Sequence, residues 1–487
     1  MSKAKTGNSF WSSWKWLIEI VLFSVIAGLL IYAVPMEGLE FQGKVMLVMF
    51  LWCVALWIAK PLEEWLVSVI ACVILVIFFG IDHKGLLSGF QNPGWFLVIF
   101  SQMIGITMVM TGLGRRMAYF IVSKLGKGGA LMANYAVGAT TALCTLIIPS
   151  AGARTSTLVN IVDELSESLG FKRGERGGES LVMTGMFVNT TGTIMFLTGT
   201  NTIPMGLAIV MEATGRTMSW GEWFAAGFLP GAICCLLIPM YTHLLYKPKK
   251  SKTGGPAEPK KIDVGFAKQA LAEMGPMSTG EKWSLICFSL TVLLWATGSL
   301  TGINANIVPW LTVFLLLIPN FAPGTSKEII REVPWSAMLW IGLAMGMANN
   351  VNSSGGFQWL VDTFFTSNAA VQSLSYTGFL IVWLLLVLFI HIIFAGMDPM
   401  VTLFTPIGMS IAAALGFDVF TVGVITIMAV CVGANFMAFN SQSNLLWCAT
   451  NRFTPGQQLG AACLINVSVA VVLLLTLLFY WPLIGMV

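Results

Sequence analysis

The stretch IIPSAGARTSTLVNI, residues 147–161, decides how the rest of the chain is read. It holds a proline, a glycine, several hydroxyl side chains and a full charge at Arg154, inside a sequence that is otherwise mostly apolar. Over 487 residues the chain is 56% hydrophobic and 10% charged, whereas soluble domains carry about a quarter charged residues. Apolar runs of bilayer-crossing length, or nearly so, recur at 16–34, 45–58, 65–81, 224–246, 377–394 and 461–487. The composition excludes a large soluble enzyme and points to an all-α polytopic membrane protein. A charged, proline-bearing turn at membrane depth survives only where protein or water satisfies its backbone. The segment 129–169, broken at PSAGART, therefore reads as a re-entrant hairpin and not as two ordinary spans.

A second segment has the same form. Residues 377–415 are apolar and are broken at AGMDPM, residues 395–400. The two hairpins belong to an internal repeat offset by about 240 residues. NPGWFLVIFSQMIGITMVMTGLGRRMAYFIV (92–122) parallels EVPWSAMLWIGLAMGMANNVNSSGGFQWLV (332–361). TSTLVNIV (155–162) parallels MVTLFTPI (400–407), and FLTGTNTIPMGLA (196–208) parallels FNSQSNLLWCA (439–449). Each match is weak alone, and all three keep the same order.

Five crossings are expected per repeat: 44–60, 65–81, 95–113, 180–212 and 223–246, then 283–299, 306–322, 335–351, 418–450 and 460–485. The organisation is then a segment 1–43 with a first helix, a repeat 44–246, a basic linker 247–282 and a repeat 283–487. An odd number of crossings inverts one repeat relative to the other, the arrangement of many secondary transporters. Two crossings are interrupted, at NTTGTIMFLTGTNTIP (189–204) and NFMAFNSQSN (435–444). Glycine and proline loosen these helices, and Asn, Thr, Ser and Gln supply donors and acceptors for a solute.

Lysine and arginine set the orientation. Lys3, Lys5 and Lys15 precede the first helix, Arg115, Arg116, Lys124 and Lys127 follow the fourth, and KPKKSKTGGPAEPKK holds six lysines against one glutamate. All three share one face, which should be the cytoplasm. The bacterial inner membrane is the expected location, and the net charge of +4 reflects this asymmetry. The first apolar run is too long for a cleaved signal. Nine scattered cysteines and three histidines suggest neither a disulfide framework nor a metal centre. No nucleotide-binding, zinc or nucleophile–base motif is present, so no cofactor, nucleic acid or enzymatic reaction is expected.

Arg154 is suited to a carboxylate, sulfonate or phosphonate, or else to snorkelling or pairing with Asp163 or Glu164. Asp398 could neutralise Arg154, carry a proton, ligate a cation, grip an ammonium, or cap a helix before Pro399. Asn189, Thr190, Gly192 and Asn435 are candidate cation ligands, and His391 is more often a packed histidine than a relay. Lys60, Glu63 and Glu64 read as an interfacial turn.

From about residue 44 to the end, broken by the lysine loop, the sequence resembles the divalent anion:sodium symporter family of the ion transporter superfamily. LWIAKPLEEWLVSVIACVILVIFFGI and the segment after it carry this likeness. The nearest subgroup includes citrate/succinate antiporters and plastid dicarboxylate carriers. Its proline-Ser-Asn-Thr-Ala-Arg hairpin falls on PSAGAR, keeping Ser150 and Arg154 but placing Ala151 and Gly152 where the family has Asn and Thr. The second Ser-Asn-Thr falls on Gly396, Met397 and Asp398. The Thr-Pro-Pro-Asn turns fall on Thr200, Asn201, Thr202 and Ile203, and on Ser441, Gln442, Ser443 and Asn444.

The resemblance implies about eleven transmembrane helices plus two re-entrant hairpins in a homodimer, with a transport domain that moves as an elevator. It implies substrate contacts at Ser150, Ala151, Gly152, Arg154, Thr200, Asn201, Gly396, Met397, Asp398, Ser441, Gln442, Ser443 and Asn444, and Na+ as a candidate coupling ion held near Ser150, Asn189, Thr190, Gly192, Asp398, Asn435 and Asn440. The expected cargo is a di- or tricarboxylate or similar organic anion. The alternatives are a sulfonate, phosphonate or zwitterion with proton coupling and, behind these, an anion channel.

Overall fold

The computed structural model describes residues 10–125, 129–148, 150–216, 218–247, 265–304, 306–319, 321, 324–366, 368–394 and 396–487. Pro149, Ala395, Lys127, the N-terminal lysines Lys3 and Lys5, and most of the lysine loop lie outside these residues. Among the described residues there are helices and no strands.

The helices that matter here are α1 (Phe10–Tyr32), α2 (Phe41–Ala59), α3 (Glu64–Phe79), α4 (Pro93–Thr111), α5 (Leu113–Leu125), α6 (Ala130–Ile147), α7 (Ala151–Ser168), α8 (Arg176–Thr191), α9 (Thr202–Thr214) and α10 (Trp220–Leu245). They are followed by α11 (Gly265–Glu273), α12 (Thr279–Thr301), α13 (Val308–Leu316), α14 (Trp335–Ser353), α15 (Tyr376–Ile390), α16 (Met397–Ala414), α17 (Val419–Gly433), α18 (Gln442–Cys448) and α19 (Pro455–Leu475).

Seven of the described helical stretches are long and apolar enough to cross a membrane, and α3, α9, α15 and α17 are apolar but shorter. The chain is an integral membrane protein. The two interrupted segments split into shorter pieces, and α12 and α14, though long, are not among the seven, so seven falls below the number of crossings read from the sequence. One expected span, 306–322, is cut to nine residues in α13. Pro319 stops it, because the residue before a proline is pushed out of helical backbone.

Contacts follow one pattern twice. α6 and α7 pack on α8, as α15 and α16 pack on α17. The halves then exchange their short helices: α9 packs on α16 and α17, while α18 packs on α7 and α8. Around this cluster α2 and α3 pack on α14, and α4 packs on α12 and α13. The first helix is an exception: it packs on α2 and leaves most of its apolar side chains exposed.

The breaks are held by close backbone approach. In the first break, Gly192–Met195 tighten into a 3-10 turn. There the Ile194 carbonyl accepts from Trp223 Nε1 at 2.9 Å. A Cβ on Gly227 of α10 would lie 2.1 Å from that same oxygen, so only glycine fits there.

Candidate functional site

Ser150, at the end of the turn joining α6 to α7, caps α7 by accepting from Ala153 N at 3.4 Å. The α15–α16 turn ends at Gly396, whose φ of 96° suits glycine alone. This backbone starts α16 with Asp398 and Pro399 in the first turn, where a missing proline N–H costs nothing. Thr200 and Asn201 end the first break and lead into α9, and Ser441 caps α18 by accepting from Ser443 N at 3.3 Å.

These four helix starts meet around one cavity of about 500 Å³. Its wall includes Ser150, Ala151 and Gly152 from the first tip and Gly396, Met397 and Asp398 from the second. The breaks contribute Thr200, Asn201 and Thr202, and Ser441, Gln442 and Ser443. Eleven of the thirteen expected substrate-contact positions therefore line a single space. Arg154 and Asn444 do not.

Arg154 stands behind the wall, fully buried. Its Nε donates to Asn189 Oδ1 at 2.5 Å and its Nη2 to the Asn189 carbonyl at 3.0 Å. Its Nη1 donates to the Ile148 carbonyl at 2.8 Å and the Gly199 carbonyl at 3.2 Å. Four acceptors take up the guanidinium, and three are backbone oxygens that the hairpin tip and helix break leave without helical partners. In this arrangement the arginine clamps the tip to the break and is not part of the cavity wall. It does not pair with Asp163 either, which is bound by Arg452 and Arg173. Asn444 is likewise internal, donating to the Ala434 carbonyl at 2.8 Å and accepting from Thr190 Oγ1 at 3.2 Å.

Of the positions expected to ligate a cation, Ser150 and Asp398 line the cavity and the rest are buried in the protein's own network. Asn440 Nδ2 donates to the His391 and Phe394 carbonyls at 2.7 and 2.6 Å, and its Oδ1 accepts from Met437 N at 2.6 Å. Asn189 Oδ1 is taken by Arg154, and the single proton of Thr190 Oγ1 is shared between Asn444 Oδ1 and the Met186 carbonyl, each at 3.2 Å. Asn435 Nδ2 donates to Thr191, Val432 and Asn466, while its Oδ1 is buried without a partner. Gly192 tightens the first break. Away from the cavity wall, one open buried oxygen is too few for a hard cation, which takes several oxygen ligands, so the five buried positions as they stand do not form a sodium cage. Among the described residues no cluster of His, Cys, Asp and Glu suits a metal either. His391 is packed against the Val430 carbonyl at 2.8 Å.

Three residues read as an interfacial turn belong to the site. Lys60, Glu63 and Glu64, between α2 and α3, line the same cavity, beside Trp65 and Trp340. Lys60 Nζ lies 3.2 Å from Glu64 Oε1, and Trp65 Nε1 donates to Glu63 at 2.6 Å. Lys60 is also one of two non-glycine residues with positive φ among the described residues. A short turn carrying both signs of charge looks like any membrane-edge loop, and only its packing beside the second tip makes it part of the wall.

The sequence family described as the sodium:sulfate symporter transmembrane region matches residues 12–487. The chain belongs to this family. Its members are membrane transporters, not enzymes, and several curated relatives are named as transporters of dicarboxylates, malate or citrate and succinate. The chain is 27% identical to the chloroplastic dicarboxylate transporter 1 of Spinacia oleracea, over 84% of this chain and 71% of that one. It is also 27% identical to the citrate/succinate antiporter of Escherichia coli K12, over 82% and 84% of the two chains. Among solved structures, Neisseria gonorrhoeae MtrF, described as illuminating a class of antimetabolite efflux pumps, superposes with a TM-score of 0.56. At 12% identity over 95% of this chain and 94% of that one, the likeness concerns the fold.

Proposed function

We propose that the protein is a secondary active transporter of a small organic anion, working by alternating access. The observation that supports this best is the convergence of four helix starts, at Ser150, Asn201, Gly396 and Ser441, on one cavity. Free backbone N–H groups and the helix dipole favour an anion at such ends. Hydroxyl and amide groups of Thr200, Ser441 and Gln442 supply further hydrogen bonds. The dicarboxylate and citrate/succinate cargoes named for the two relatives fit this class.

On this reading the α6–α7 and α15–α16 pairs are re-entrant hairpins, and the two halves are inverted repeats within an eleven-helix homodimer. The hairpins, α8, α9, α17 and α18 move as one body against α2, α3, α4, α12, α13 and α14. The N-terminus lies in the cytoplasm, and the membrane is a bacterial inner membrane. Energy comes from a cation gradient, sodium or proton, or from anion exchange.

Purified protein in proteoliposomes, given a panel of organic anions with sodium, proton or internal-anion gradients imposed one at a time, tests the proposal. Saturable uptake with counterflow supports it. Ohmic single-channel currents without counterflow would replace the carrier with a pore. A second reading, transport of a sulfonate, phosphonate or zwitterion with proton coupling, is favoured by the carboxylate of Asp398 in the cavity wall.

A further inference from the structure

The charge of the cavity wall runs against a dianion. Among its described residues it has one ammonium, Lys60, and three carboxylates, Glu63, Glu64 and Asp398. Lys60 is offset by Glu64 at 3.2 Å. The nearest arginine in sequence, Arg154, is buried behind the wall with four acceptors of its own. Glu63 is held by Trp65.

Asp398 is different. Its Oδ1 accepts from Thr202 Oγ1 at 2.5 Å, which fixes the carboxylate across the gap between the second tip and the first break. Among the described residues no donor reaches its Oδ2. Trp340, also in the wall and 4% exposed, has a buried indole N–H without a partner. The wall thus combines helix starts with an oriented carboxylate that has a free oxygen.

We propose that Asp398 selects a substrate bearing an ammonium beside its acidic group, so that the cargo is a small zwitterion of the amino acid, amino sulfonate or aminophosphonate class. This rests on the transport reading above and narrows its substrate. The acidic group takes the helix starts and the hydroxyl and amide groups of Thr200, Ser441 and Gln442, and the ammonium donates to Asp398 Oδ2 as a charge-assisted hydrogen bond. A dicarboxylate would instead bring its second charge against a wall already negative, where like charges repel.

The test uses matched pairs that differ only in ammonium against hydroxyl: taurine with isethionate, and β-alanine with 3-hydroxypropionate, with succinate as the dianion. Wild-type protein in proteoliposomes is expected to favour the ammonium member of each pair by roughly tenfold or more, the scale of a hydrogen bond to a charged group. Asp398→Asn should bring that ratio close to one. Thr202→Val, which removes the partner but keeps the carboxylate, should retain most of it.

Equal uptake within each pair by wild type, or preference for succinate, overturns the proposal even if Asp398→Asn fails to insert. So does an Asp398→Asn ratio that stays unchanged. Uptake of succinate, isethionate and 3-hydroxypropionate without their ammonium partners defeats this inference alone. Failure to move any of these compounds defeats it together with the transport reading.

Discussion

Arg154 and Asn189 are joined twice: the guanidinium donates to the amide oxygen of Asn189 at 2.5 Å and to its backbone carbonyl at 3.0 Å. The pair fastens a hairpin tip to the end of a broken helix, where carbonyls stripped of helical partners would otherwise be buried unpaired. Arg154→Ala should therefore lower stability, because each orphaned buried acceptor costs about 1–3 kcal/mol. Arg154→Lys should recover little, since an ammonium cannot span four acceptors set around a planar fork. Thermal unfolding in detergent, followed by fluorescence size exclusion, reads the effect. A variant that melts like wild type and loses only substrate affinity would return Arg154 to the anion.

The second tip has its own fastening in Asn440, which donates to the His391 and Phe394 carbonyls and accepts from Met437 N. Asn440→Ala should lower the melting temperature by leaving two carbonyls and an amide unpaired. Asn440→Asp should be worse, as it turns a carboxylate oxygen toward both carbonyls. Equal melting of the two variants would mean that the donor end of the amide does not matter, contrary to the geometry.

The breaks were legible because Gly, Pro, Asn and Thr have local meaning: residues 189–204 and 435–444 could not be continuous apolar helix. The tips were legible for the same reason. What Arg154 does was not, since its partners at Ile148, Gly199 and Asn189 are mostly backbone oxygens, and a carbonyl leaves no mark in the sequence. That Lys60, Glu63 and Glu64 line the cavity was not legible, because it depends on how α2 and α14 pack beside α16. Asn435 and Asn440 were recognised as break residues, but their amides serve neighbouring backbone in ways that spacing cannot reveal.

Gly227→Ala should damage the first break. The added Cβ would lie 2.1 Å from the Ile194 carbonyl, and backbone on both sides leaves no flexible group to yield. Uptake and thermal stability should both fall, with the larger effect on uptake if the break shapes the site. Gly460→Ala in α19 is the control: nothing lies within 4 Å of its new Cβ. Removing glycine from a helix interior gains about 0.5–1 kcal/mol. Similar losses from both substitutions would show that general helix sensitivity, not the contact with Ile194, is being measured.

Arg116 and Glu281 tie the two halves across the linker. Arg116 on α5 donates through Nε to Glu281 Oε1 at 2.6 Å, and its remaining nitrogens reach the Gly275 and Met274 carbonyls at 2.8 and 3.1 Å. Glu281 is 3% exposed and also receives Ser278 N at 2.7 Å in the capping box of α12. Removing only the arginine strands a buried carboxylate, which costs about 3–5 kcal/mol in comparable pairs. Arg116→Ala should therefore destabilise the protein more than Glu281→Gln, which keeps an acceptor for the arginine and for the cap. The double variant should be more stable than the sum of the two losses predicts, because the stranded charge is gone. Melting temperatures of the four proteins complete the cycle. Strict additivity would mean that the ion pair contributes nothing beyond the carbonyl contacts of Arg116.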